Sequence, residues 1–185
     1  MARLFTYGKL NRTCTIPGNN ALPGTYVVAY GIQYGAGAFN TTTLSMEPGE
    51  FVEIVTSTDK GYSVKRATAS ITEATAGIIL RDVMGVRAIQ EGLFEEYLPG
   101  VPMSFVPLSA PVGWSIVVPV VAGQSPAVGG VVYIGKGSGS SVLGGVYAAA
   151  QGGGSDTVAL TNWKFSSVKY TPTSDASICA VVTRV

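Results

Sequence analysis

The 185-residue chain contains no histidine. That absence removes the commonest general base, the commonest metal ligand and the side chain that titrates near neutral pH. Ser-His-Asp and Cys-His catalysis and ordinary zinc chemistry are therefore excluded, and no cofactor is expected. Charge is also scarce: 12 Lys and Arg stand against 11 Asp and Glu, and charged residues make up 12% of the chain, about half the usual share. A net charge of +1 gives no field to hold nucleic acid or an acidic membrane, so neither is expected as a direct partner. The two cysteines, Cys14 and Cys179, are too few for a disulfide framework and too far apart for a metal knuckle. Both read as packing thiols, with a bridge as the alternative. No run approaches the ~18 apolar residues of a membrane span, and residues 1–7 lack the apolar core of a signal peptide. The expectation is a soluble chain, intracellular when made.

Glycine and proline are abundant instead, at 24 and 10 residues, nearly one in five against a usual ~12%. They punctuate short β-rich runs, the pattern of a barrel or sandwich rather than of βαβ units. The expected fold is all-β: a compact β-barrel or sandwich-like domain over residues 24–185, with an extended N-terminal arm over residues 1–23 and at most one short helix. Residues 50–55 alternate polar and apolar, and 62–67 follow after Asp59-Lys60-Gly61, which predicts a hairpin with one wet face. Further strands are expected at 77–81, 114–118, 131–134, 163–168 and 178–182. Pro119 marks an edge, a bulge or a strand end, because it cannot donate to a ladder. Trp114 and Trp163 read as core residues. Tyr26, Tyr30 and Tyr34, four apart, would share one face of a strand.

Residues 1–23 carry Arg3, Lys9 and Arg12 and no acid; the first acidic residue is Glu47. The stretch lacks a sustained period, so it should not form a core by itself. Its Leu4, Phe5, Tyr7 and Leu10 suggest an arm laid on another surface, the alternative being a frayed terminus. Residues 83–97 have apolar positions at near-helical spacing, weakened by Gly85 and Gly92, and contain the acidic cluster Glu91, Glu95 and Glu96. The cluster reads either as a solvated face or as the acceptor of a neighbouring copy's basic arm.

Chemical motifs are weak. Gly130-Val131-Val132-Tyr133-Ile134-Gly135-Lys136 has the outline of a phosphate loop, but Gly137 replaces the Ser or Thr and the intervening residues read as a strand. The Gly/Ser segments at 135–141 and 151–156 read as flexible hairpin tips. Adjacent Glu95 and Glu96 make a poor acid/base pair, because they diverge on a strand and on a helix alike. No serine sits in a recognisable nucleophile turn. The triplets at Asn11 and Asn40 match the glycosylation pattern by chance in a chain without a secretory signal. The chain is not expected to be an enzyme.

Several segments together resemble the structural cement, or head decoration, proteins of tailed bacteriophages. They are Tyr30-Gly31-Ile32-Gln33-Tyr34, then Ala76-Gly77-Ile78-Ile79-Leu80-Arg81, and Tyr97-Leu98-Pro99-Gly100-Val101 leading into Pro102-Met103-Ser104-Phe105-Val106. Gly129-Gly130-Val131-Val132-Tyr133-Ile134 is followed by Leu143-Gly144-Gly145-Val146-Tyr147-Ala148-Ala149, by Val158-Ala159-Leu160-Thr161-Asn162-Trp163-Lys164-Phe165, and by Ala180-Val181-Val182. The chain departs from that family at Gln33, where a proline is expected, and at residues 84–97, which look like an insertion. The resemblance implies a non-enzymatic virion protein, made in the host cytoplasm, that binds the outer surface of the phage head. Its implied partners are the major capsid protein, whose neighbouring copies it bridges, and further copies of itself, a trimer being favoured over a dimer. Arg3, Phe5, Tyr7, Lys9, Leu10 and Arg12 on the arm, with Glu91, Glu95 and Glu96, are the expected capsid or inter-subunit contacts. A carbohydrate-binding or adhesive β module on the virion surface is the alternative.

Overall fold

The structure, a computed structural model, describes residues 23–24, 26–28, 36–40, 45–58, 61–81, 87–90, 94–100, 102–110, 112–171 and 178–185. It is all-β, as the turn punctuation implies. The strands are β1 (Tyr26–Val28), β2 (Ala36–Asn40), β3 (Phe51–Thr58), β4 (Gly61–Arg66), β5 (Ala76–Ile79), β6 (Arg87–Gln90) and β7 (Phe94–Glu96). They continue with β8 (Pro102–Pro107), β9 (Ser115–Pro119), β10 (Val131–Gly135), β11 (Val146–Tyr147), β12 (Thr157–Phe165) and β13 (Cys179–Arg184). One 3₁₀ turn, Gly152–Gly154, is the sole helical element among the described residues.

These strands build three units. A six-stranded antiparallel sheet runs β1-β9-β13-β12-β10-β11, and a five-stranded barrel closes as β2-β4-β3-β5-β8, with β2 and β4 parallel. Strands β6 and β7 form a separate two-stranded ribbon. The expected 50–55/62–67 hairpin is β3–β4, and Pro119 ends β9, in register with Cys179 at the start of β13. The six-stranded sheet curls strongly: Val121, two residues past β9, donates its N–H to Val146 O of β11 at 3.0 Å. That bond covers an edge that would otherwise stay open.

Alternation of side chains divides the core in two. Val52, Val64, Ile79, Met103 and Phe105 fill the barrel with Met46 and Tyr97. Their neighbours Phe51, Ile78 and Val106 point outward and pack on Ile116, Val118, Val132, Ile134, Leu160, Trp163 and Val182 of the six-stranded sheet. Strands β3, β5 and β8 are thus buried on both faces, which is why β5 reads as an unbroken apolar run. Each of the largest of these side chains contributes about 1.5–3 kcal/mol by leaving water. Both tryptophans are core residues as expected. The barrel is narrow enough that a Cβ on Gly77 would lie 2.0 Å from Phe105 Cε2.

The near-helical stretch 83–97 forms no helix in its described residues. Its described parts are β6 and β7, paired Arg87↔Glu96 and Ala88↔Glu95, with an irregularity before Gln90↔Phe94. Because β5 and β8 pair directly with each other, the ribbon is an excursion between two barrel neighbours, in line with an insertion. The strand expected at 163–168 starts earlier and ends sooner, as β12.

Candidate functional site

Arg3, Phe5, Tyr7, Lys9, Leu10, Arg12 and Glu91 lie outside the described residues, as does Cys14. Glu95 and Glu96 are consecutive on β7, in register with Ala88 and Arg87. Cys179 is buried at the start of β13 beside Val117, Val181 and the partly buried Tyr170. Burial, with the nearby Cys179, pushes the Tyr170 phenol above its ordinary range.

Two Pro-Gly turns, Pro23-Gly24 and Pro48-Gly49, face each other between the sheet and the barrel. Gly24 donates its N–H to Val117 O in the middle of β9 at 2.8 Å, and Gly49 donates to Ile79 O of β5 at 2.8 Å. Both glycines have positive φ, +77° and +82°, and a Cβ on Gly24 would lie 2.7 Å from Pro48 Cβ. Only glycine suits both the dihedral and the approach. Arg81 completes the junction: its backbone N–H donates to Gly24 O at 2.9 Å and its Nε to Pro23 O at 3.1 Å. Arg81 is the last described residue before the segment that leads to β6. At the far end of the excursion, Tyr97 exchanges backbone hydrogen bonds with Met46 and donates its hydroxyl to Leu80 O at 2.8 Å.

A second junction ties the barrel to the sheet. Along β12 the register jumps from Val132↔Leu160 to Val131↔Lys164, leaving Thr161, Asn162 and Trp163 without partners on β10. Glu73, in the turn before β5, takes up the freed groups. One carboxylate oxygen accepts from Thr161 N and Oγ1 at 3.1 and 2.8 Å, and the other from Asn162 N and Nδ2 at 3.1 and 3.2 Å. Partial burial acts to raise the Glu73 pKa, but these four bonds together outweigh it and hold the carboxyl below its ordinary value. From the same bulge, Trp163 Nε1 donates to Leu108 O at 3.0 Å. Nothing in the spacing of the sequence signals either tie, because the bulge breaks the alternation that reveals strands.

The two Gly/Ser tips were expected to be flexible; they are instead pinned to each other. Ser138 Oγ and Ser155 Oγ both donate to Asp156 Oδ1, at 3.1 and 3.0 Å, and Lys136 N donates to Asp156 O at 2.9 Å. Ser141 Oγ accepts from Gly137 N at 3.1 Å, and Tyr147 OH accepts from Val142 N at 2.6 Å. This scaffold holds Val142 and Leu143 in solvent, at 58% and 47% exposure. On the barrel wall, Glu53 pairs with Lys65 and Glu50 with Arg66, at 3.5 and 3.4 Å. Among the described residues no three His, Cys, Asp or Glu gather in a way that could hold a metal ion, and no helix is long and apolar enough to cross a membrane.

No protein-family model and no curated protein matches the chain. Among solved structures, it is similar to a chain of "The capsid of Myoviridae Phage XM1", with a TM-score of 0.57 and 18% sequence identity over 92% of this chain and 94% of that one. The likeness is one of fold, and it extends over nearly the whole of both chains.

Proposed function

We propose that the chain is a non-enzymatic virion structural protein of the head-decoration kind: it attaches to the outside of a phage head as a homo-oligomer and bridges neighbouring major capsid proteins. The observation that carries this reading is the end-to-end fold match to a chain from a myovirus capsid. The match adds to the independent resemblance in sequence landmarks. The physical character of the chain agrees with it. A weakly charged β module with an arm rooted in its core, and with apolar side chains held rigidly in solvent, is equipped to bind surfaces rather than to turn over a substrate.

Each anchored Phe, Leu or Tyr contributes roughly 1.5–3 kcal/mol by burial, and much of that gain is offset by ordering and association costs. One copy therefore binds weakly. Several linked copies engage several capsid subunits at once, and avidity gives firm attachment. In this reading Phe5, Tyr7 and Leu10 anchor the arm, while Arg3, Lys9 and Arg12 meet acidic groups.

The test is co-sedimentation of the purified chain with empty, expanded capsids of its own virus, using the full-length protein and a deletion of residues 1–22. Saturable binding that weakens in the deletion is the expected result. Equal binding by both relocates the contact to the β body, for which Val142 and Leu143 are the first residues to replace. Failure of both to bind refutes the reading and directs attention to glycan binding.

A further inference from the structure

We infer that the uncharged loop cluster beside β11 is the surface through which copies of this chain join: it packs against the same surface of a second copy across a rotation axis. The inference rests on the homo-oligomer of the proposed function and names the contact that holds it together.

The cluster is defined first by what it lacks. Residues 97–135 and 137–155 contain no Asp, Glu, Lys or Arg, and Lys136 is the one charge between them. About a quarter of the residues of an ordinary soluble domain are charged, and nearly all of those lie at its surface. Core strands in this span have no use for charge, but its loops are in water: Ala122, Gly123, Val142, Leu143, Ala149 and Gly153 are all exposed. The barrel wall, by contrast, carries the Glu53–Lys65 and Glu50–Arg66 pairs.

Three loops form one surface. Val121 N donates to Val146 O at 3.0 Å and Ala148 N to Gln124 Oε1 at 3.1 Å, which lays the loop after β9 along β11. Gly145 lies between Val121 and Val142: a Cβ on it would meet Val121 Cγ2 at 2.7 Å and Val142 Cβ at 3.2 Å. Beyond β10, Asp156 ties the tip at Ser138 to the turn at Ser155. Loops braced in this way have little freedom left to lose on contact, so the ordering cost of association is small. Val142 and Leu143 supply the apolar area, and the surrounding Gly and Ala let another surface come close.

The missing charge identifies the occupant. A contact with a different protein can set each charge against an opposite one, and such complementarity steers and selects the partner. A rotation axis allows no such choice. A patch on the axis meets its own copy, so a charge in it faces its like and is repelled. An exposed surface that is free of charge and carries two braced apolar side chains suits that self-contact.

The experiment uses full-length protein and reads molar mass by light scattering or sedimentation, together with hydrogen exchange at residues 121–124 and 142–149. Wild type should self-associate and protect these residues as its concentration rises. It should keep its mass when sodium chloride is raised from about 0.05 to about 0.5 M, because no charge takes part. One variant makes the patch acidic (Leu143→Glu with Ala149→Glu) and another makes it basic (Leu143→Lys with Ala149→Lys). Each alone should self-associate at least about tenfold more weakly. An equimolar mixture should recover mass and protection, since opposite charges then meet across the axis, and that recovery shows both variants to be folded.

A wild-type chain that stays monomeric, association that salt dissolves, or charged variants that associate as wild type does would overturn the inference. So would a mixture no better than its components, which would mean that the patch meets a different surface. A monomeric wild type whose capsid binding is lost in both variants would assign the patch to the capsid instead. Self-association is read without capsids and attachment with them, so failure of one leaves the other standing.

Discussion

Replacing Glu73 by Gln tests whether one carboxylate couples the barrel to the six-stranded sheet. The side chain keeps its shape, but its amide nitrogen cannot accept, so either the Thr161 pair or the Asn162 pair of donors loses its acceptor. Two charge-assisted bonds are lost and two become neutral ones. Buried bonds of this kind are worth about 1.5–3 kcal/mol each, and partial exposure to solvent reduces that considerably. The expected loss is about 1–2 kcal/mol at pH 7, or a fall in Tm of about 2–8 °C for a chain of this size.

The pH dependence fixes the mechanism. The folded-state pKa of Glu73 is lowered from 4.5, so its stabilisation is fully present above 4.5 and is lost as the pH falls through the lowered folded value. Urea unfolding of wild type and Glu73→Gln, at one protomer concentration and at pH 7, 5 and 3, should show a gap that is constant from 7 to 5 and narrows toward pH 3. An equal gap at pH 3 would mean that lost packing rather than the charged clamp is responsible, and no gap at pH 7 would mean that the junction does not depend on Glu73.

Two substitutions probe the core on either side of that junction. Gly77→Ala places a methyl group against the Phe105 ring and should cost about 3 kcal/mol by overpacking; adding Phe105→Leu should recover part of the loss, and strictly additive costs in a double-mutant cycle would refute the contact. Trp163→Phe removes the Nε1–H donor to Leu108 O and leaves a buried carbonyl unpaired as well as a small void, for a loss of about 2–4 kcal/mol in denaturant unfolding. A loss below about 1 kcal/mol would mean that the bond is not a working tie between the sheet and the barrel.

Strands buried on one face, such as β4 with Val64 inside the barrel and Lys65 outside it, announce themselves by alternation, and so does their hairpin turn. The ribbon escapes the same test for a local reason. The irregularity between Ala88 and Gln90 shifts the phase of β6, and a period of two interrupted in this way resembles the spacing of a helix, with Val86, Ile89 and Leu93 falling three and four apart. The bulge in β12 hides the first half of that strand in the same manner. Strand β2 is invisible for another cause: Ala36-Gly37-Ala38 has no β-branched or aromatic side chain, and its place is set by pairing with β4 and β8. The Pro-Gly pairs at 23–24 and 48–49 stand in the sequence, but their stacking is a tertiary fact. The Glu73 clamp joins residues 88 positions apart and could not be read from spacing.

The junction at Gly24 bears on how the chain, in the proposed bridging role, would carry tension applied through residues 1–22. A pull on residues 1–22 is delivered to Gly24, whose N–H is bonded to Val117 O and whose carbonyl accepts from Arg81 N. Val117 lies at the middle of β9, which is flanked on both sides by β1 and β13. Gly24 leads directly into β1, the end strand of the six-stranded sheet, so the pull loads an end strand whose start is braced by the Gly24 bonds to Val117 and Arg81. Through Arg81 and Gly49 the same pull reaches β5 of the barrel, and Glu73 and Trp163 join the barrel to the sheet at a separate place. The two halves of the body are thus tied at two independent points, so separating them requires both ties to open together.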